Sequence, residues 1–273
     1  DLHYPLRRQR QMCIRDSNKT MKTDTETLRK RGFLTNTEAE PYFLYSKEEL
    51  LELLKDKTAV NRTAALFILR SFVDINELDE ILLRMLVKEK ALYTKLEICD
   101  ILTTGNELTI KRMIPYMGTI RGNQHRTIPE KVSKKKSYPL PRDIIARTMA
   151  KMNPDYFSTI LEIINYPEDK VVAEAIDAIG WMVFYHQELA TAKNYQTVIQ
   201  SFERYHDNEL MKWKLIICLS AFNQSEAFLK QLDFQNPVVQ AEIERSLSLI
   251  NKRKSKVVSV SYTHLTLPTK RIV

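Results

Sequence analysis

Two groups of residues have types and spacing that could do chemistry. The first is the stretch from Thr119 to Arg142, where seven Lys or Arg stand against one acid, Glu130, for a net charge of +6. Lys131, Lys134, Lys135, Lys136 and Arg142 could meet phosphates or the carboxylates of an acidic partner, and Tyr138 could stack on a base. The same run also suits a solvated loop kept open by its own charge. The second group is Glu174, Asp177, Trp181 and Tyr185. Their offsets place them along one side of a helix. An aromatic ring beside a carboxylate suits a cationic or stacked ligand. It equally suits a Trp packed between helices, with its neighbouring acids in water.

Other chemistry finds little support. His186 follows Tyr185, but no His-Glu-x-x-His or facial carboxylate spacing accompanies it, so no metal site is expected. Gly118 and Gly122 lack the spacing and the Lys-Ser/Thr ending of a phosphate-binding loop. No Gly-x-Ser-x-Gly or Cys-His arrangement appears. The expectation is no catalytic residue and no cofactor.

The elements that must position these groups are helices. The chain has 273 residues, 44% of them hydrophobic, enough for a sizeable core. Gly occurs only 5 times and Pro 10 times. Few glycines leave few positions for tight hairpins, which disfavours sandwiches, barrels and dinucleotide folds. The 3 cysteines show no paired spacing, and Cys99 and Cys218 read as buried hydrophobes of a reducing, cytoplasmic protein. No apolar run approaches the ~18 residues of a membrane span, so no membrane partner is expected.

Both ends read as foreign to the rest. The chain starts at Asp1, which reads as a reading frame open at its 5′ end, with Met21 as the true start. The stretches 11–17 and 260–273 resemble translated sequencing-adaptor tails, and neither tail shows helical period. The expected organisation is a non-native tail at 1–20, a helical domain at 21–257 with a basic insertion at 119–142, and a non-native tail at 258–273. Setting the ends aside changes the charge argument. The formal charge is +8, of which residues 1–17 and 258–273 each contribute +2, leaving +4 for the body.

Helix signals recur between those ends. Ser46 and Glu49 form a capping box ahead of Leu50, Leu51 and Leu54. Leu78, Ile81, Leu82, Met85 and Leu86 form a one-sided apolar stripe, as do Ile110, Met113, Ile114 and Met117. Asn153 and Asn236 each precede a proline, which marks a capped helix start. The helices then pair: 154–166 turns at Pro167 into 170–185. Comparable second helices are read at 60–72, 94–104, 143–152, 211–222 and 238–251. Taking Ala64, Ile98, Arg147, Ala175, Leu215 and Ile243 as equivalents gives steps of 34, 49, 28, 40 and 28 residues, a solenoid period.

The run Asp169, Val171, Ala175, Ala178, Ile179, Gly180 resembles the second helix of HEAT repeats, and Asp56, Val60, Ala64 is a fainter echo. The resemblance spans roughly 45–251. It implies an all-α fold, a right-handed α-solenoid of about six HEAT-like (armadillo-like) helix pairs with a basic loop insertion in the third repeat. The Arg that such repeats carry after the Val is Val172 here and Asn61 in the first repeat; only Lys95 and Lys212 keep a positive charge there. That leaves the family's Asp–Arg ladder unsupported.

The resemblance implies a bacterial scaffold that binds a protein or peptide through its concave groove and basic insert, as a monomer. The second reading is a nucleic-acid-binding solenoid similar to HEAT-like DNA glycosylases, imitated here by Asp177 with Trp181 or by Trp213 beside Lys212 and Lys214. A third, a factor for bilin attachment built on similar repeats, has no specific residue behind it.

Overall fold

The computed structural model describes residues 24–263, and their side chains to Ser255. The two adaptor-like stretches therefore fall mostly outside the described residues. Among the described residues there is no strand. Fourteen α-helices follow in order: α1 (Thr25–Lys30), α2 (Asn36–Ala39), α3 (Lys47–Leu53), α4 (Ala59–Leu69), α5 (Ile75–Lys88), α6 (Leu92–Leu102), α7 (Glu107–Met113), α8 (Ile144–Met149), α9 (Phe157–Glu162), α10 (Asp169–Tyr185), α11 (Ala192–Arg204), α12 (Glu209–Leu219), α13 (Glu226–Gln231) and α14 (Pro237–Thr263).

Their starts follow from local chemistry. Ser46 and Glu49 close the expected capping box on α3, and Thr35 and Glu38 close a second one on α2. Asn153 accepts from the Asp155 amide, but the helix opens as a 3-10 turn at Pro154–Tyr156 before becoming α9. Asn236 accepts from the Val238 amide at the start of α14, with Pro237 in the first turn. The backbone of α14 stays helical to Thr263, six residues into the stretch set aside as a tail. Once a helix is nucleated, each added residue gains a hydrogen bond at little further cost.

The chain divides into two compact units, whose described parts are 24–73 with 88–98, and 74–87 with 99–263. In the first, α1, α2 and α3 pack on α4, whose Ala64, Ala65, Leu66 and Leu69 are fully buried. Arg62 makes a two-pronged ion pair with Glu89, both bonds 2.8 Å. Arg70 reaches Glu97 at 2.9 Å. In the second unit, α9 packs on α10, α11 on α12 and α13 on α14. The second members also touch in succession, α8 on α10, α10 on α12 and α12 on α14. Small residues permit this approach: Ala175, Ala178 and Gly180 of α10 are buried, and a Cβ at Gly180 would lie 2.9 Å from the Cα of Cys218 on α12.

Cys218 is buried, while Cys99 is only partly so. No helix among the described residues is long and apolar enough to cross a membrane.

Candidate functional site

Between Met117 and Asp143 regular helix stops, as the loss of period predicts, but the segment is packed. Asp143 ties its two ends together. The carboxylate is fully buried, and its Oδ1 caps α8 by accepting from the amides of Ile145 and Ala146, both at 2.9 Å. Its Oδ2 accepts from the Gly118 amide at 3.2 Å and from Gln124 Nε2 at 2.7 Å. One side chain thus holds the entry, the first turn and the exit of the insert. Gly118 sits at φ 68, and Arg121, a residue with a Cβ, at φ 63. The left-handed region is costly for Arg and persists only where surrounding contacts hold it.

From that clasp the insert crosses α10, α12 and α14. The His125 ring stands edge-on to Trp213 of α12, centroids 4.9 Å apart. Burial, with Arg142 and Lys214 nearby, holds the imidazole pKa down at about 4. Tyr138 is 3% exposed and packs against Phe184 of α10, centroids 5.5 Å apart. Its phenol occupies the space that Gly180 leaves: a Cβ there would overlap the hydroxyl. Burial pushes the Tyr138 pKa well above the usual phenol value. From α14, Arg245 donates to the carbonyls of Lys135 at 3.3 Å and Ser137 at 2.7 Å, and Lys252 to that of Lys136 at 3.4 Å.

Below the insert lies a buried ion cluster. Lys214 of α12 has no exposed surface. Its ammonium donates to Ala173 O at 2.8 Å, Glu174 Oε1 at 3.0 Å and Asp177 Oδ2 at 2.9 Å, which uses all three protons. Two carboxylates share one ammonium, so the more buried one is the easier to protonate. Burial pushes Glu174 up to about 7 despite Lys214 beside it. Lys214 itself is held above its ordinary value, because the two carboxylates outweigh burial. Among the described residues, four buried polar atoms of this region have no hydrogen-bond partner: Gln124 Oε1, Tyr138 Oη, Glu174 Oε2 and Trp213 Nε1.

The residues singled out in the sequence separate accordingly. Lys131, Lys134, Lys135, Lys136 and Arg142 are exposed on the insert. Tyr138 faces inward, so its ring serves packing and is not open to a base. Glu174 and Asp177 are turned to Lys214 and do not form an open acidic patch beside Trp181. Trp181 and Tyr185 do meet, rings 4.5 Å apart, and Tyr185 is 50% exposed. Trp213 and Lys214 are buried, and the Lys212 ammonium lies over the rings of Phe202 and Phe234, at 5.8 and 5.4 Å. They do not form an open basic groove.

Sequence reasoning passed over Asp143, Gln124, His125 and Arg245 as members of this region. Asp143 carried a signal, since Asp before an apolar-periodic run is an N-cap pattern. Lys214 carried another: it lies 40 residues from Glu174, the step that separates Ala175 from Leu215. No signal marked Gln124 or Arg245, whose partners lie at unrelated spacings. Among the described residues no cluster of His, Cys, Asp and Glu has metal-site geometry.

No protein-family model matches the chain, and no curated protein matches it. Solved structures of two engineered proteins are similar to it in part. One is 14% identical with a TM-score of 0.34, covering 76% of this chain and 96% of that one. The other is 13% identical with a TM-score of 0.33, covering 84% of this chain and 66% of that one.

Proposed function

We propose that this chain is a binding scaffold without catalysis, built as a HEAT-like right-handed α-solenoid, whose basic insert meets an acidic protein or peptide. The repeat arrangement is supported by the three successive helix pairs of the second unit and by the serial packing of α8, α10, α12 and α14. Further support comes from ion pairs spaced near one repeat: Arg62 with Glu89, Arg112 with Asp79, and Lys214 with Asp177.

The observation that carries the binding reading is the state of the insert. Asp143 and Arg245 bond its backbone and Tyr138 anchors it by its buried ring, while Lys131, Lys134, Lys135 and Lys136 are exposed. Charges on a fixed backbone bind with less ordering cost than charges on a free loop. Tyr138 of the insert and Trp213, which meets the insert's His125, are both buried, so neither ring is open for base stacking. That favours carboxylates over nucleobases.

The test is a titration of the full chain with polyglutamate and with duplex DNA, at low and at physiological salt, beside a variant with Lys134, Lys135 and Lys136 changed to Ser. Polyglutamate binding that weakens in the variant supports the reading. Tighter, steeply salt-dependent DNA binding would move the nucleic-acid reading ahead. Binding of neither would remove the insert as a binding element.

A further inference from the structure

The insert is fastened over the buried ion cluster, and the two share a boundary. Gly118, at the entry of the insert, lies against Glu174: a Cβ there would stand 3.8 Å from Glu174 Cγ and 3.3 Å from the Lys170 carbonyl oxygen. The Gly118 amide donates to Asp143 Oδ2, and Gln124 donates to the same oxygen. Asp143, Glu174 and Asp177 therefore gather under the start of the insert, near enough for each of the other two to act on the charge of Glu174.

The charges there do not balance. Three carboxyl groups stand with one ammonium, that of Lys214, whose three protons already go to Ala173 O, Glu174 Oε1 and Asp177 Oδ2. Asp143 is held by neutral donors, three amides and the Gln124 side chain. Glu174 Oε2 is buried and has no donor among the described residues. A bare buried oxygen is costly on an ionised carboxylate and far less so on a protonated one. A protonated Oε2 is itself a donor, and Gln124 Oε1, on the same clasp, is a buried acceptor without one. The neighbouring elements bring no further counterion to Oε2. His125 of the insert is neutral above about pH 4, and Arg142 is exposed. Arg147 of α8 is turned to the Pro141 carbonyl, and Glu162 of α9 and Glu188 beyond α10 are exposed.

We propose that the proton on Glu174 gates the insert: with it the clasp at Asp143 stays closed and the lysines are presented on a fixed backbone, and without it the clasp loosens and an acidic partner binds more weakly. Loss of the proton adds a buried negative charge beside Asp143 and Asp177 with no donor left to meet it. Lifting Gly118 and Gln124 lets water reach Oε2 and relieves that cost. Burial holds the group at about 7 while the clasp is closed, and hydration on opening returns it toward 4.5. The closed state thus binds the extra proton, and it is favoured at low pH and lost as pH rises through 7. The proposal rests on the acidic-partner reading above and adds its regulation.

The experiment uses the full chain at pH 6 and pH 8, at one ionic strength, with polyglutamate as the probe. Lysine and glutamate side chains in water titrate outside that range, so a change in binding comes from the chain's own shifted groups or its histidines. Protection of the Gly118 amide against hydrogen exchange, corrected for the intrinsic rate at each pH, reads the clasp separately. From pH 6 to pH 8, protection at Gly118 and affinity for polyglutamate are both expected to fall about tenfold, the factor for one pKa unit between closed and open states. Glu174→Gln, the same size as the protonated acid and unable to ionise, is expected to keep its pH 6 values at both. Equal protection at the two pH values, or an equal fall in Glu174→Gln, overturns the gate whatever the binding does. A fall in protection with pH-independent binding overturns its control of the partner. A fall in protection with no binding at either pH removes the acidic-partner reading and leaves the gated clasp. Should Glu174→Gln not fold, the Ala65 and Leu66 amides of α4, in the other unit, are the reference in the unchanged chain. A fall there matching that at Gly118 also overturns the gate.

Discussion

Tyr138 and Gly180 are complementary: the phenol of one fills the volume that the missing side chain of the other leaves on α10. The contact joins an insert without regular structure to a helix of regular period, and with the bonds from Asp143 and Arg245 it makes the insert part of the fold. Its hydroxyl has no partner among the described residues, so the ring stabilises docking while the oxygen opposes it.

Tyr138→Phe is therefore expected to hold stability level or raise it by up to about 1 kcal/mol, because a buried unpaired hydroxyl is removed at constant shape. Tyr138→Ala is expected to cost about 3 kcal/mol, the lower end for a buried aromatic, since the insert can lift instead of leaving a cavity. Urea unfolding of the two variants checks both signs. A Phe variant clearly less stable than the unchanged chain would show that the hydroxyl is paired.

Asp143 combines a helix cap with the clasp of the insert. Asp143→Ala is expected to cost about 2.5–4 kcal/mol, from a lost cap of about 1 and lost charge-assisted bonds of about 1.5–3 kcal/mol. Hydrogen exchange gives a sharper reading. The amides of Gly118, Ile145 and Ala146 should lose protection together in this variant, because one carboxylate serves all three.

Lys214 pairs with two carboxylates, the buried Glu174 and the part-buried Asp177. Lys214→Met is expected to destabilise by about 3–5 kcal/mol, since it leaves the buried Glu174 and the part-buried Asp177 uncompensated. Adding Glu174→Gln and Asp177→Asn is expected to recover much of that loss, because replacing all the charges removes the desolvation cost with the pairing. Equal instability of the single and triple variants would mean that packing of the lysine stem, and not its charge, dominates.

The pH dependence contains two opposed contributions. His125 is depressed from 6.5 to about 4 in the folded chain, so the unfolded chain binds the extra proton, and this contribution is lost as pH falls from 6.5 through 4. Glu174 is raised from 4.5 to about 7, so the folded chain binds the extra proton, and this contribution is lost as pH rises from 4.5 through 7. Between about 4.5 and 6.5 the two slopes cancel. His125→Leu should therefore give a chain whose stability, relative to the unchanged one, declines as pH rises through this window. Glu174→Gln should give the reverse slope. Urea midpoints at four or five pH values distinguish them.

The all-helical fold, the capping boxes, the N-cap prolines and most second-helix positions were legible in the sequence. They depend on residues within a turn or two of one another, where backbone geometry turns residue order directly into a face. The basic insert was also legible as a break in period, and its lysines are exposed as their charge requires. What only the tertiary structure decided is where the breaks and charges go. Glu174 and Asp177 look like a free acidic stripe on α10 until Lys214, on α12, takes both. Tyr138 looks like an exposed aromatic in a charged loop until Gly180 offers it a place. Arg245 and Ser137 meet across 108 residues. Such pairings bring together parts of the chain with no common period, and only the packing of α10, α12 and α14 sets the distances that make a carboxylate a partner, an aromatic a plug and a loop an ordered surface.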